Sequence, residues 1–287
     1  MNQPLISVII PAHNSAQTIG TAVDSMLAQT YPNLEIVVID DNSTDNTREI
    51  AQNYEKRCPN LRFYALPYDD PKRFNKRGRN INAGYMARNF GFEKVRGAWI
   101  TFQDADDASL RNRIKVQYEL AIRYNKMHVC IDWQQFRNEL LGKTLDVDSI
   151  VREHADVAIG TEDILLLAEK TKGILPRLER IHTKISFELK RMRVLNKLFF
   201  SSLASYPCAA NSPLFKKEIA DKVRFRPLDE RVWPSFTGRG ADRDFNFAVA
   251  ETFRSSMSFR LPLYLYRATI QHVPYEGYEK YLHSSPL

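Results

Sequence analysis

Residues 98–107 read AWITFQDADD, a short apolar run that ends in three carboxylates within four residues. The run Ala98–Phe102 is typical of a buried strand. Negative charge concentrated at the end of such a strand is unfavourable unless a cation neutralises it. A hard divalent cation bound through one or two of the carboxylates of Asp104, Asp106 and Asp107, with diphosphate oxygens as its other ligands, would neutralise this charge.

This cluster alone also fits a simpler explanation, a solvated turn in which Asp107 or Ser109 caps the following helix. A second acidic pair, Asp40-Asp41, ends another apolar strand. An Asp there can accept a hydrogen bond from a nucleobase N–H or a ribose hydroxyl, although helix capping through Asn42 and Ser43 is again the alternative. Two such clusters on neighbouring strands of one sheet are much harder to explain as caps.

Apolar strands and amphipathic helices alternate through the first part of the chain. Strands are predicted at residues 6–10, 34–39, 61–66 and 98–102, with helical segments between them. This alternation predicts an α/β fold with a mostly parallel central sheet flanked by helices. Ligands of such sheets bind at the carboxyl ends of the strands. The polar clusters at residues 11–14, 40–43 and 104–107 can therefore share one site.

Four motifs occur in a fixed order: SVIIPAHN (7–14), DDNSTDNT (40–47), ARN (87–89) and DADD (104–107). Over roughly residues 5–125 their order, spacing and strand context resemble a family 2 glycosyltransferase with the GT-A fold. The likeness is thin after residue 135. The resemblance implies an inverting enzyme of bacterial polysaccharide biosynthesis that moves a hexose or N-acetylhexosamine from a nucleotide-sugar onto an acceptor hydroxyl of a saccharide or a lipid-linked saccharide.

The resemblance also implies roles for the nucleobase pocket. Pro11, His13 and Asn14 would line this pocket, partly through their backbone, and His13 stands where the family often has Tyr. Asp41 would hold the uracil edge, so the expected donor is a UDP-sugar.

A second group of residues would hold the rest of the donor. Arg88 would face the phosphates or the sugar, and Asp104 would lie near the ribose and the sugar. Asp106 would be the main ligand of Mn²⁺ or Mg²⁺, with Asp107 beside it. His272, near the end of the chain, is a candidate third ligand, although a lone His is more often a surface or packed residue.

Sugar transfer also needs a group that removes the proton of the acceptor hydroxyl. The family usually supplies it from a Glu-Asp pair at a helix start after a Gly-containing loop, and GRGADRDF (238–245) resembles that region. Asp242 takes the place of the Asp as the candidate catalytic base, whereas Ala241 replaces the Glu. Asp244 is the fallback, and both acids are also explained as first-turn residues favoured by the helix dipole.

Two more features have both a functional and a structural explanation. A polar stretch before the third motif can meet phosphates or form a solvated loop and helix start; it includes Arg77, Arg79, Asn80 and Asn82. Trp233, just before the candidate base loop, can stack on an acceptor sugar or pack in the core.

The expected organisation has three segments. Residues 1–135 form the nucleotide-sugar-binding half, 136–205 a helical, basic appendage, and 206–287 the half with the acceptor site and the base. Within the appendage, apolar residues recur every three or four positions over residues 172–199, which predicts one long amphipathic helix or two with a bend. This helix could lie on anionic lipid beside a lipid-linked acceptor, pack on the catalytic domain or form a dimer contact.

Composition narrows the classes of function. The chain has 287 residues and a net charge of +7, and residues 172–197 contain eight Lys/Arg against two Glu. The rest is close to neutral, so nucleic acid is not an expected partner. Three scattered cysteines without a CxxC predict neither a zinc site nor a disulfide framework. With no signal peptide and no span of about 18 apolar residues, the expected location is the cytoplasm or the inner face of the membrane.

Three other classes of protein fit the sequence less well. Nucleotidyltransferases typically have a Gly-rich phosphate loop after the first strand, whereas residues 11–16 contain no Gly. A non-catalytic nucleotide-sugar-binding module would not need Asp104, Asp106 and Asp242. A dehydrogenase is disfavoured because the chain has no G-x-G-x-x-G.

Overall fold

The computed structural model describes residues 3–71, 73–74, 78, 80–190, 192–200, 204–235, 240–267 and 278–284. The strands are β1 (Ile6–Ala12), β2 (Leu34–Asp40), β3 (Leu61–Ala65), β4 (Trp99–Phe102), β5 (Ala108–Ser109), β6 (His128–Gln135), β7 (Lys143–Leu145), β8 (Ala158–Ile159), β9 (Leu214–Lys216), β10 (Ser256–Tyr266) and β11 (Leu282–Ser284). The helices are α1 (Ile19–Leu27), α2 (Thr47–Arg57), α3 (Tyr85–Lys94), α4 (Arg113–Arg123), α5 (Val147–Glu153), α6 (Thr161–Thr171), α7 (Glu179–His182), α8 (Phe187–Lys190), α9 (Arg193–Phe200), α10 (Lys217–Lys222) and α11 (Ala241–Phe253).

The central sheet has the strand order β3-β2-β1-β4-β9-β6-β10-β5. The short strand β8 also pairs with β10, on the same edge as β5. The strands β3, β2, β1 and β4 are parallel to one another, as are β6 and β10. The short strand β9 runs antiparallel between β4 and β6 and joins these two groups. A separate two-stranded sheet pairs β7 with β11. The fold is therefore the predicted α/β class with a mostly parallel central sheet flanked by helices.

Alternating side chains of the buried strands enter two cores, one on each face of the sheet. Val8 of β1 packs on one face with residues of α1 and α4, and Ile9 packs on the other with residues of α3 and α11. Helix α3 lies close to β1 at Gly91. A Cβ added to Gly91 would lie only 2.8 Å from the Ile9 Cγ2 atom, which shows how near the helix and the strand are at this point. Burial on both faces explains why these strands are apolar at nearly every position.

The prediction of one long helix at residues 172–199, or of two with a bend, is wrong. The segment instead contains a 3₁₀ turn at Leu175–Arg177 and the short helices α7, α8 and α9. Pro176 has no N–H to donate within a continuous helix, and the Ser186 hydroxyl accepts a hydrogen bond from the Leu189 N–H at 3.4 Å, which starts a new helix at α8. The chain folds back so that Phe187 meets Phe200.

Other parts of the second half contribute directly to the central sheet. Strands β9 and β10 come from the predicted third segment, and β8 comes from the predicted appendage. Among the described residues, no helix has the length and apolar character needed to cross a bilayer.

Candidate functional site

A cleft of about 580 Å³ opens at the carboxyl ends of the parallel strands. Most of the predicted site residues line it: Pro11, His13, Asp41, Arg88, Asp104, Asp106 and Asp242. The cleft is also lined by Trp133 of β6 and by residues further along the chain, among them Asn211, Arg243 and Tyr266. The topology therefore brings the strand-end motifs and the candidate base to one place, although more than 130 residues separate Asp104 from Asp242.

The loops that follow β1 and β2 are fastened to each other. The His13 Nδ1–H donates to the Asp41 main-chain oxygen at 2.6 Å. Asn14 has a positive φ of 50°, and its side-chain oxygen accepts from the Thr44 N–H at 2.8 Å. Asn14 is exposed and does not line the cleft. In this structure it joins the two loops instead of facing a nucleobase.

Asp41 has a partner that the sequence did not indicate. The buried guanidinium of Arg73 donates to both oxygens of Asp41, at 2.6 and 3.0 Å, and also to Asp69 at 2.8 Å. Burial opposes the charge, but the hydrogen bonds to Asp41 and Asp69 raise the pKa of Arg73 above its ordinary value. Arg73 thus fixes the position of the Asp41 carboxylate. No local signal marks this pair, because 32 residues separate its members.

The three carboxylates after β4 converge as the sequence predicted. One oxygen from each of Asp104, Asp106 and Asp107 lies within 4.8 Å of the others. Both oxygens of Asp104 already accept hydrogen bonds, from Arg88 at 2.6 Å and from Asn211 at 2.9 Å. Asp106 is exposed toward the cleft.

Asp107 shows that this cluster suits a divalent cation. Its Oδ1 atom accepts from the Arg267 N–H at 2.7 Å, and the neighbouring Tyr264 hydroxyl also stabilises its charged form. Burial and the neighbouring charges of Asp104 and Asp106 outweigh these contacts and raise the pKa of Asp107 to about 8. Three converging carboxylates whose charges oppose one another are hard oxygen ligands that fit Mg²⁺ or Mn²⁺.

Arg88 connects this cluster to the candidate base. Its guanidinium is buried against the rings of Phe102 and Phe225, with each ring centroid 5.5 Å away. The Nη2 atom lies 2.6 Å from Asp104 Oδ1 and 3.4 Å from Asp242 Oδ1. Burial opposes its charge, but Asp242 and Asp104 raise the pKa of Arg88. Its Nη1 atom donates to the Ala83 main-chain oxygen at 2.7 Å, and the side chain lines the cleft.

Asp242 lies in the first turn of α11, two residues after Gly240. Gly240 has a φ of 92°, and a Cβ there would lie 2.7 Å from the Ser235 backbone nitrogen, so this turn requires glycine. The Asp242 side chain is 24% exposed, and its Oδ1 atom makes no hydrogen bond to a described residue. Burial raises the pKa of Asp242, and Asp104 adds to this, whereas Arg88 opposes it. A carboxylate with a raised pKa that faces a cleft suits a general base.

The fallback residue Asp244 has a different environment. Its carboxylate is buried and accepts four hydrogen bonds, two from Arg226 and one each from the Val232 and Trp233 N–H groups. Asp244 does not line the cleft. Its oxygens hold residues 226–233 in place.

Other candidates are in places that differ from the expectation. Trp233 is buried, and its indole N–H donates to the Ala168 oxygen at 3.0 Å, so the predicted sugar contact is wrong. The Asn82 amide donates to Asp70 at 3.0 Å, whereas Asn80 lines the cleft. The candidates Arg77, Arg79 and His272 lie outside the described residues.

Residues 7–156 match the family described as Glycosyl transferase family 2. This match covers more than half of the chain, which therefore belongs to family 2 of the glycosyltransferases, as the motifs predicted.

Relatives with this family likeness include bacterial enzymes. The chain is 34% identical over 117 residues to the putative teichuronic acid biosynthesis glycosyltransferase TuaG of Bacillus subtilis. These residues make up 41% of this chain and 42% of TuaG. It is 30% identical over 125 residues to WfgD of Escherichia coli, a UDP-Glc:α-D-GlcNAc-diphosphoundecaprenol β-1,3-glucosyltransferase. The aligned residues make up 44% of each of the two chains. The matched regions therefore span less than half the length of these relatives.

Solved structures extend the likeness to the whole fold. S. aureus TarS (residues 1–349, with UDP) superposes with a TM-score of 0.56 at 16% identity, over 91% of this chain and 60% of that one. The mannosyltransferase PcManGT of Pyrobaculum calidifontis, with GDP-Man and Mn²⁺, gives a TM-score of 0.53 at 17% identity, over 98% of this chain and 60% of that one. At these identities the likeness shows the fold, which is the predicted GT-A type.

Proposed function

We propose that this protein is an inverting glycosyltransferase that moves a sugar from a UDP-sugar to an acceptor hydroxyl in a single displacement assisted by a divalent cation. One observation supports this most: the acidic cluster of the donor half and Asp242 of the other half line the same cleft. A site that only binds a nucleotide would not need a second carboxylate with a raised pKa, such as Asp242, in the same cleft.

In this proposal, Asp106 and Asp107 hold the cation, with Asp104 beside them. When bound, Mg²⁺ or Mn²⁺ would act as a Lewis acid for the leaving diphosphate. Arg88 and Asn211 hold the Asp104 carboxylate in place through their hydrogen bonds at 2.6 and 2.9 Å. The Arg267 N–H likewise orients Asp107.

Asp242 is the proposed base. It accepts the proton of the acceptor hydroxyl as that oxygen attacks the anomeric carbon opposite the diphosphate, which inverts the anomeric configuration. The charge of Arg88, 3.4 Å away, disfavours protonation of Asp242 in the resting enzyme, while burial favours it. The net effect is a raised pKa of Asp242, and a carboxylate with a raised pKa is a stronger base.

Asp41 is the proposed acceptor for the uracil N–H. Its two oxygens bind Arg73, but each carboxylate oxygen has a further lone pair that can accept from a base. A guanine nucleotide is the main competitor, since PcManGT was solved with GDP-Man.

The test is a donor screen that measures release of nucleoside diphosphate from UDP-glucose, UDP-N-acetylglucosamine, UDP-galactose and GDP-mannose, with Mn²⁺, Mg²⁺ or EDTA. We expect turnover of a UDP-sugar that EDTA abolishes, and an Asp242→Asn variant that is slower by about 10²–10⁴-fold. Asp163→Asn, an exposed first-turn acid of α6, is the matched control. Full activity in EDTA, or retention of the donor's anomeric configuration by NMR, would contradict the mechanism.

We further propose that residues 172–200 contact an anionic membrane, where a lipid-linked acceptor would be found. Five large apolar side chains of this segment are 45–56% exposed: Ile174, Leu178, Ile181, Leu189 and Met192. The exposed cations Arg180 and Lys184 lie among them. Apolar side chains beside cations match the interface of an anionic bilayer.

Sedimentation with vesicles of phosphatidylglycerol and phosphatidylcholine tests this contact. We expect binding that falls in Arg180→Glu/Lys184→Glu, but not in the control Lys56→Glu/Arg57→Glu, which reverses two exposed charges of α2. If the unmodified protein does not sediment with these vesicles, the segment has another role.

A further inference from the structure

Two aromatic side chains, Trp133 and Tyr266, line the wall of the cleft that faces the donor motifs. Their rings meet edge to face, with centroids 5.1 Å apart and an interplanar angle of 69°. Tyr266 is 37% exposed and Trp133 is half-buried. The other two tryptophans, Trp99 and Trp233, are buried in the cores, so Trp133 is the tryptophan that a ligand in this cleft can reach.

The sheet fixes the position of this pair. Trp133 of β6 lies opposite Tyr264 of β10, and Tyr266 is two residues further along β10, so both side chains lie on the same face near the carboxyl ends of neighbouring parallel strands. The next residue, Arg267, donates to Asp107 and to the Asp106 main-chain oxygen. The aromatic pair is thereby held at a constant position relative to the acidic cluster.

The strand order assigns this pair to the acceptor side. The predicted donor residues of the first half follow β1, β2 and β4 or lie on α3. In the sheet, β9 separates β4 from β6, and β10 lies one strand further away. Trp133 and Tyr266 therefore lie on strands that carry none of these predicted donor residues, and the acidic cluster passes beside them on its way from β4 to β5, which pairs with the other edge of β10.

We propose that Trp133 and Tyr266 form a stacking subsite for a pyranose ring of the acceptor. This inference rests on the proposed function and narrows its substrate class: the acceptor is a saccharide, either free or attached to a lipid. The axial C–H groups of a pyranose carry partial positive charge and pack well on the electron-rich face of an aromatic ring. The adjacent carboxylates and Asn211 supply hydrogen-bonding groups for its hydroxyls.

The experiment measures binding of the methyl glycosides of glucose, galactose, mannose and N-acetylglucosamine by tryptophan fluorescence and saturation-transfer NMR, with UDP present. We expect at least one glycoside to quench the fluorescence, and Trp133→Ala to weaken its binding by about 10-fold, the size of one aromatic contact. Trp133→Phe should recover most of the affinity but lose the quench. Leu166→Ala, which removes an exposed apolar side chain of α6 away from the cleft, is the matched control.

The Kd of the UDP-sugar that the enzyme uses, measured by calorimetry on the same variants, separates the possible occupants of the subsite. A Kd that stays within about 2-fold in Trp133→Ala supports an acceptor subsite, whereas weaker UDP-sugar binding in this variant would assign the aromatic pair to the donor and overturn the proposal. Absence of glycoside binding in a protein that turns over a UDP-sugar would also overturn it. Glycoside binding that depends on Trp133 in a protein that turns over no nucleotide-sugar would support the subsite and refute the proposed function.

Discussion

Asp242 and Asp244 lie two residues apart, and substitution by Asn should separate their roles. The Asp244 carboxylate accepts two hydrogen bonds from Arg226, at 2.8 and 2.9 Å, and two from backbone N–H groups, at 2.7 and 2.9 Å. In Asp244→Asn, one acceptor oxygen becomes an NH₂ group that faces donors, and the charge of Arg226 loses its partner.

The size of this effect depends on the burial of the pair. Removing one partner of a buried ion pair costs about 3–5 kcal/mol. Because the Arg226 side chain is 30% exposed and water can solvate it, we take the lower end, about 3 kcal/mol. At about 2–4 °C per kcal/mol for a domain of this size, Tm should fall by roughly 6–12 °C.

Scanning calorimetry and kcat, measured on the same preparations, form the assay. Asp244→Asn should melt early but turn over substrate well below its Tm, since its carboxylate does not line the cleft. Asp242→Asn should melt close to the unmodified protein and lose about 10²–10⁴-fold in kcat. The reverse pattern, with Asp244→Asn stable and inactive, would refute our assignment and make Asp244 the base.

Three further predictions concern the metal, the fold and the base loop. Asp106→Asn should weaken Mn²⁺ binding, measured by electron paramagnetic resonance, by 10-fold or more, on the order of one lost charged ligand. Burial lowers the pKa of His128 from 6.5 to about 4, so the unfolded chain binds this proton more readily, and Tm should fall as the pH drops from about 6.5 to 4, less steeply in His128→Asn. Gly240→Ala should reduce turnover while circular dichroism stays unchanged, because a Cβ there would lie 2.7 Å from the Ser235 backbone nitrogen and would displace the start of α11. Equal acid sensitivity of the two proteins, or full activity of Gly240→Ala, would contradict the second and third of these predictions.

The donor half was predictable from the sequence because its signals are local. Each strand is a continuous apolar run, and each polar motif comes directly after a strand end, as in Ile6–Ala12 and Trp99–Phe102. Once the strands are taken as parallel, their carboxyl ends must lie at one edge of the sheet. The convergence of Asp41 with Asp104 needed no further information.

The periodicity of residues 172–199 was misleading for a physical reason. A spacing of three or four is compatible with a long helix, but also with short helical turns that place their apolar side chains on different surfaces. Here Phe187, Phe199 and Phe200 form a small core, whereas Leu178 and Ile181 stay exposed. The spacing therefore indicates helical turns but does not show that they belong to one continuous helix. Pro176 was a local sign of a break, because proline has no N–H to donate within a helix.

The contacts that complete the cleft could not be predicted, because they join residues that are distant in the sequence. Arg73 meets Asp41 across 32 residues, and Trp133 meets Tyr266 across two strands that are neighbours only in the folded sheet. The inserted strand β9 brings β6 beside the donor strands, and β10 pairs with β6. A family motif specifies the residues at the end of one strand, whereas the specificity of this cleft depends on which strand ends lie next to each other. For that reason the donor class can be argued from four motifs, and the acceptor class has to be argued from the sheet.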